Sequence, residues 1–148
     1  MKRLLRLVVL VVGLLLLGSG VRQSIAPRPA KADEVNVYLA RIAPYNSTQA
    51  ILESPMHSAP YLQEVVSILE SLDPPPDLVE VHALLVEGYR FILDGRRVLD
   101  THPRGEELAE GNFMMDWGFS RLREHQRLLM EYLVEQQLKE ASDASSQN

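Results

Sequence analysis

Between Asp33 and Glu140 the apolar residues recur every three or four positions and never alternate, and proline-rich breaks cut the pattern into four pieces. That spacing buries one face of a helix, whereas a half-buried strand needs a period of two. It restricts the chain to an all-α fold. The first piece carries Val35, Tyr38, Ile42, Tyr45 and Leu52, with Leu39 beside them and Asp33 placed to cap it. Pro44 lies inside this stripe and is expected to kink or split the helix. The second carries Leu62, Val65, Leu69 and Leu72, entered through Ser54-Pro55 and Ala59-Pro60 and stopped by Pro74-Pro75-Pro76. Asp77 with Glu80 resembles a capping box for the third, whose stripe is Leu78, Val81, Leu85, Gly88, Ile92, Gly95 and Leu99. Leu84, Phe91 and Val98 are expected to broaden that stripe into a core. After the break Thr101–Gly105, the fourth carries Leu108, Met115, Leu122 and Leu129, with Gly111, Gly118, His125 and Tyr132 three residues after each. Short breaks between helices predict an up-and-down antiparallel bundle of about four helices.

The glycines narrow this further. Gly88 and Gly95 are seven apart on the third helix, and Gly111 and Gly118 are seven apart on the fourth. In a hairpin turning at Pro103, one antiparallel register sets Gly88 against Gly118 and Gly95 against Gly111. Glycine costs a helix interior about 1 kcal/mol relative to alanine, so four of them predict close helix–helix approach. A conventional seam would pair the two heptad sets in a neighbouring register instead.

Ahead of the bundle the chain changes character. Residues 1–20 begin with the basic stretch Met1–Arg6, continue through the apolar run Leu7–Leu17 and end in Gly18-Ser19-Gly20, the layout of a signal peptide. Ala30-Lys31-Ala32 and Ser24-Ile25-Ala26 are the candidate cleavage sites, the second followed by Pro27. Uncleaved, residues 4–21 would reach about 27 Å as a helix, a short membrane anchor with Arg6 snorkelling. Residues 21–32 form a Pro/Arg-rich linker, residues 33–140 the bundle, and residues 141–148 a small, polar tail expected to be frayed. An extracytoplasmic location follows in both cases, either secreted or periplasmic, or held to the membrane by a single pass.

Charge follows the same boundary. Residues 1–32 hold six basic side chains and no acid. Of 15 basic and 20 acidic residues in all, the remainder therefore holds 9 and 20, a net charge of −11. So acidic a domain does not suit nucleic acid, where affinity comes from neutralising phosphate. With no cysteine, disulfides, thiolate metal sites, thiol catalysis and a lipid-modified N-terminal cysteine are all excluded.

Little chemistry is legible. There is no Gly-x-Ser-x-Gly elbow and no Gly-rich phosphate loop, so neither an enzymatic activity nor a cofactor is expected. The glycine register brings His82 near His125, which with Glu80 or Glu124 makes a metal- or small-ligand-binding bundle the alternative; the Glu-x-x-His spacing of carboxylate-bridged bundles is missing. His57 and His102 fall at helix breaks, and Asn46-Ser47-Thr48 matches a glycosylation acceptor. Phe113, Met114, Met115, Trp117 and Phe119 form the most aromatic stretch. Enclosure by the bundle is the favoured reading of it; the other is a patch for an envelope protein partner or the membrane, with Phe113, Trp117 and Phe119 in contact.

From Tyr38-Leu39 and Pro44 through Pro74-Pro75-Pro76, His82 and Leu85, the chain resembles a broad class of exported bacterial helical proteins without assigned activity. In these a Pro-rich break precedes a His-bearing helix and another long helix follows. Many of them look like lipoproteins; this chain departs by lacking cysteine. The resemblance carries no activity and no catalytic residues; because the sequence shows no catalytic constellation, the expected role is an interaction or structural module in the cell envelope.

Overall fold

A computed structural model describes residues 32–146; the proposed signal peptide or anchor at residues 1–20, the span 4–21, and the linker up to residue 31 lie outside the described residues. The described chain is an all-α bundle without strands. It comprises α1 (Ala32–Asn46), the short α2 (Thr48–Glu53), α3 (Ala59–Glu70), α4 (Val79–Asp100) and α5 (Glu106–Ser146), with 3-10 turns at Ser54–Met56 and Pro76–Leu78.

α1 starts with Asp33 and Glu34, acids placed where the helix dipole favours negative charge. It buries Val35, Tyr38 and Ile42. Pro44 sits within its last turn, and the break falls at Ser47, whose hydroxyl accepts from Ala50 N (3.1 Å) to cap α2. Proline removes one helical hydrogen bond and crowds the carbonyl four residues back, which costs least where the helix is about to end. The break resets the helical phase. Ile51 is buried in consequence, and Leu52, expected on the apolar stripe, is 66% exposed. In α3, Leu62, Val65, Val66 and Leu69 are buried. Asp77 falls within the 3-10 turn Pro76–Leu78, so α4 begins one residue beyond the expected capping box, with Leu78 as its cap.

The direction of each long helix is readable from the pairs that join them. α1 and α4 run the same way, since Tyr38 meets His82 and Tyr45 O accepts from Tyr89 Oη. α3 opposes α4, because Glu70 pairs with Arg90 and Gln63 with Arg97. α5 opposes α4 through Arg121–Glu87 and His125–Val81. The order is therefore up, down, up, down.

Hairpin α4–α5 forms the spine. Its turn uses two left-handed residues, His102 (φ 56°) and Gly105 (φ 60°), on either side of Pro103. α5 offers only Leu122 and Leu129 as fully buried apolar side chains, and what it lacks in bulk it replaces by proximity. A Cβ built on Gly118 would lie 2.7 Å from Gly88 O, and one on Gly95 would lie 2.7 Å from Gly111 O. Continuing the same register by seven residues reaches Val81 and His125, where His125 Nδ1 lies 2.7 Å from Val81 O. Backbone closes the first two rungs of this ladder and an imidazole bridges the third.

On α4 the buried flank beside this seam is Val86, Tyr89 and Leu93, facing α1 and α3; Leu84, Phe91 and Val98 are only half-buried. At 22 and 41 residues, α4 and α5 span about 33 and 62 Å, so α5 projects well past the start of α4. It continues as helix through residues 141–146, where the sequence suggests a loose tail. Along the projecting part Val134 and Leu138 are exposed. Among the described residues no helix is long and apolar enough to cross a membrane.

Candidate functional site

Two groups of residues stand out: a belt of buried imidazoles across the bundle and an aromatic cluster on its outside. His82 points from α4 into the space between α1 and α3. Its Nε2 lies 3.1 Å from Leu69 O and its Nδ1 lies 3.1 Å from Tyr38 Oη. A carbonyl only accepts, so Nε2 carries the proton, and Nδ1 accepts from the tyrosine hydroxyl. The two rings meet edge-on with centroids 5.7 Å apart. On α5, His125 is fully buried and donates from Nδ1 to Val81 O, leaving its Nε2 lone pair buried without a hydrogen-bond partner. Adjacent residues Val81 and His82 thereby tie α4 to each of the other three long helices.

Burial holds both imidazoles below the ordinary histidine range. For His82 the bond to Leu69 O partly opposes this, and for His125 the bond to Val81 O does so while the neighbouring His82 adds to the depression. Burial likewise raises the hydroxyl of Tyr38 well above the tyrosine range, so it remains a donor.

The register does bring His82 and His125 into one neighbourhood, but three of their four ring nitrogens are already engaged. No group of three or more His, Asp or Glu side chains able to hold a metal occurs among the described residues. His57 packs against Tyr61 with the rings tilted (centroids 4.3 Å), and His102 turns the backbone at the end of α4. Asn46, the acceptor of the glycosylation pattern, ends α1; its Oδ1 is buried and its backbone oxygen accepts from Gln126.

The aromatic stretch is divided by the helix itself. Phe119 is half-buried and packs on the core, on the opposite side from Phe113 and Trp117. Those two remain 63% and 42% exposed, so the bundle does not enclose this part of α5. Phe113 stacks on Trp117 (6.1 Å), and Trp117 receives the edge of Phe91 from α4 (6.4 Å). Phe91, expected on the core side of its helix, belongs to this outer cluster instead. Its seven-residue spacing from Leu84 and Val98 is the signal that marks a second face. Arg121 lies over the Trp117 ring at 5.1 Å, and it pairs with Glu87 across the hairpin (3.3 Å) and with Glu124 on its own helix (3.1 Å).

Comparison of the chain with family models, with curated proteins and with solved structures finds no match.

Proposed function

We propose that this chain is an exported or membrane-anchored helical module of the cell envelope that acts by binding a protein partner rather than by catalysis. The observation that carries the reading is the cluster in which the exposed Trp117 and Phe113 gather beside the half-buried Phe91. Large aromatic side chains left in contact with water and ordered against one another are typical anchors of protein interfaces, since they bury much area at little entropic cost. Export is supported by the basic residues and apolar run at the N-terminus, and the mature N-terminus measured by mass spectrometry decides between a cleaved signal and an anchor.

The test replaces the exposed anchors. A partner crosslinked to the full chain is expected to be lost on Phe113→Ser or Trp117→Ser, with far-UV circular dichroism unchanged because neither side chain is in the core. Retention of the partner by both variants would overturn the reading.

The unpartnered His125 Nε2 favours a second reading, a metal- or small-ligand-binding bundle using His82 and His125. A ligand binding only the folded state raises the melting temperature, by about 2.7 kcal/mol of stability at a hundredfold excess over its Kd. Zinc or copper added to the purified chain should then shift melting, and the shift should vanish in His125→Leu. A flat response to both metals rejects metal binding at this pair.

A further inference from the structure

Resting on the interaction reading above, we propose that the outer face of the α4–α5 hairpin receives a basic amphipathic helix. The glycine rungs bring the two helix backbones into contact, which makes the outer seam between them shallow. On α4, Leu84, Phe91 and Val98 recur every seven residues and lie half-buried along that seam. They point away from α3, which α4 meets through His82, Arg90 and Arg97. From α5, Trp117 meets Phe91 edge-on and Phe113 stacks on Trp117. The apolar strip from Leu84 to Val98 is about 21 Å long, room for four turns of a helix laid along it.

Acids border the strip on both sides. Glu80 and Glu87 keep the seven-residue spacing on α4, and on α5 Glu110 and Glu124 lie seven residues either side of Trp117. Arg121 shows what such a surface takes. It is held between Glu87 and Glu124 with its guanidinium over the indole, so this face already binds one cation of its own chain by ion pairing and a cation–π contact together. A helix presenting an apolar stripe at i, i+3/4 and i+7, flanked by Lys or Arg, repeats that arrangement along the seam. Charge disfavours the other occupants. Two copies joined through this face would set acids against acids, and an anionic membrane or nucleic acid would be repelled.

Trp117 is the only tryptophan, so its emission reports on this face alone. The full chain is titrated with a synthetic amphipathic peptide free of aromatic residues, carrying a Leu stripe flanked by Lys, and with its counterpart in which every Lys is Glu. The Lys peptide is expected to shift Trp117 emission to the blue, saturably. The Glu peptide should bind at least tenfold more weakly. Reversing the rims with Glu80→Lys and Glu110→Lys together should weaken the Lys peptide roughly tenfold, and added salt should weaken it as well. Equal binding of the two peptides, or binding indifferent to the rim reversals, overturns the charge selection while leaving the interaction reading intact. An emission shift with zwitterionic vesicles but with neither peptide reassigns the face to lipid and overturns the proposal. No shift with any probe also overturns it, and the Phe113→Ser crosslinking test then decides the interaction reading by itself.

Discussion

Gly118→Ala is expected to destabilise the bundle by about 2 kcal/mol, although alanine is the better helix former by about 1 kcal/mol. The added methyl would stand 2.7 Å from Gly88 O, 2.7 Å from Ile92 Cγ1 and 3.0 Å from Ile92 N. Two of those three atoms are backbone, so relief requires the helices to part rather than a side chain to turn. Parting them also loosens the neighbouring rung, where Gly95 meets Gly111 O and Met115. In a domain of this size the loss corresponds to a melting temperature roughly 10 °C lower, read by thermal circular dichroism. Gly118→Leu should disrupt the hairpin outright. Gly111→Ala is the control, because its new methyl meets the side chains of Leu99 and Val98 at 3.0–3.2 Å, which have freedom to shift; it should cost much less. A Gly118→Ala protein as stable as the parent would mean that the close approach does not exist in solution.

Acid provides the second large effect. His82 and His125 are both neutral in the fold, with pKa values depressed by burial. Unfolded, each takes up a proton near pH 6.5, so below that pH the unfolded state binds more protons than the folded one. Stability is therefore fully present only well above about pH 6.5 and falls as the pH drops through that value toward the folded-state values. The slope has a ceiling of about 1.4 kcal/mol per pH unit for each histidine. Protonating His125 would place an N–H at a buried position with no acceptor, and protonating His82 would oblige Tyr38 to reverse its hydroxyl. Urea denaturation between pH 7 and 5 should show this loss, and His125→Leu should reduce its steepness by about half. Relief of repulsion among the many carboxylates begins at lower pH and has the opposite sign. A midpoint unchanged from pH 7 to 5 would show that both imidazoles are open to solvent, and a loss of about half the expected steepness that one of them is.

Most of the helical pattern was open to inspection because periodicity records which side of a helix is buried. Leu62, Val65 and Leu69 carry that record, and so do Val81, Leu85 and Ile92. The glycine register was legible for a different reason: close backbone contact tolerates no Cβ, so it leaves paired gaps at matching intervals on both helices. What escaped depends on how separate segments settle against one another. Whether Val86, Tyr89 and Leu93 or Leu84, Phe91 and Val98 complete the core of α4 is decided by the side on which α1 and α3 lie, and no interval within α4 encodes that. Leu52 was misplaced because Ser47 resets the helical phase. The link from Tyr38 through His82 to Leu69 O joins three helices, and nothing local in any one of them announces it. Phe113, Trp117 and Phe119 stand together in the sequence, but that the first two are exposed and the third packs on the core follows from α4 and α5 meeting on the glycine side.

The two ends of the described chain share one pole. Ala32 and Val35 line the same groove as Gln136 and Glu140, while the turn at Pro103 lies at the opposite pole. A load applied through both ends would therefore peel α1 from α5 one contact at a time, instead of shearing the interface as a whole. Such a domain is expected to yield at lower force when pulled between these two ends than when pulled from one end and the distal turn.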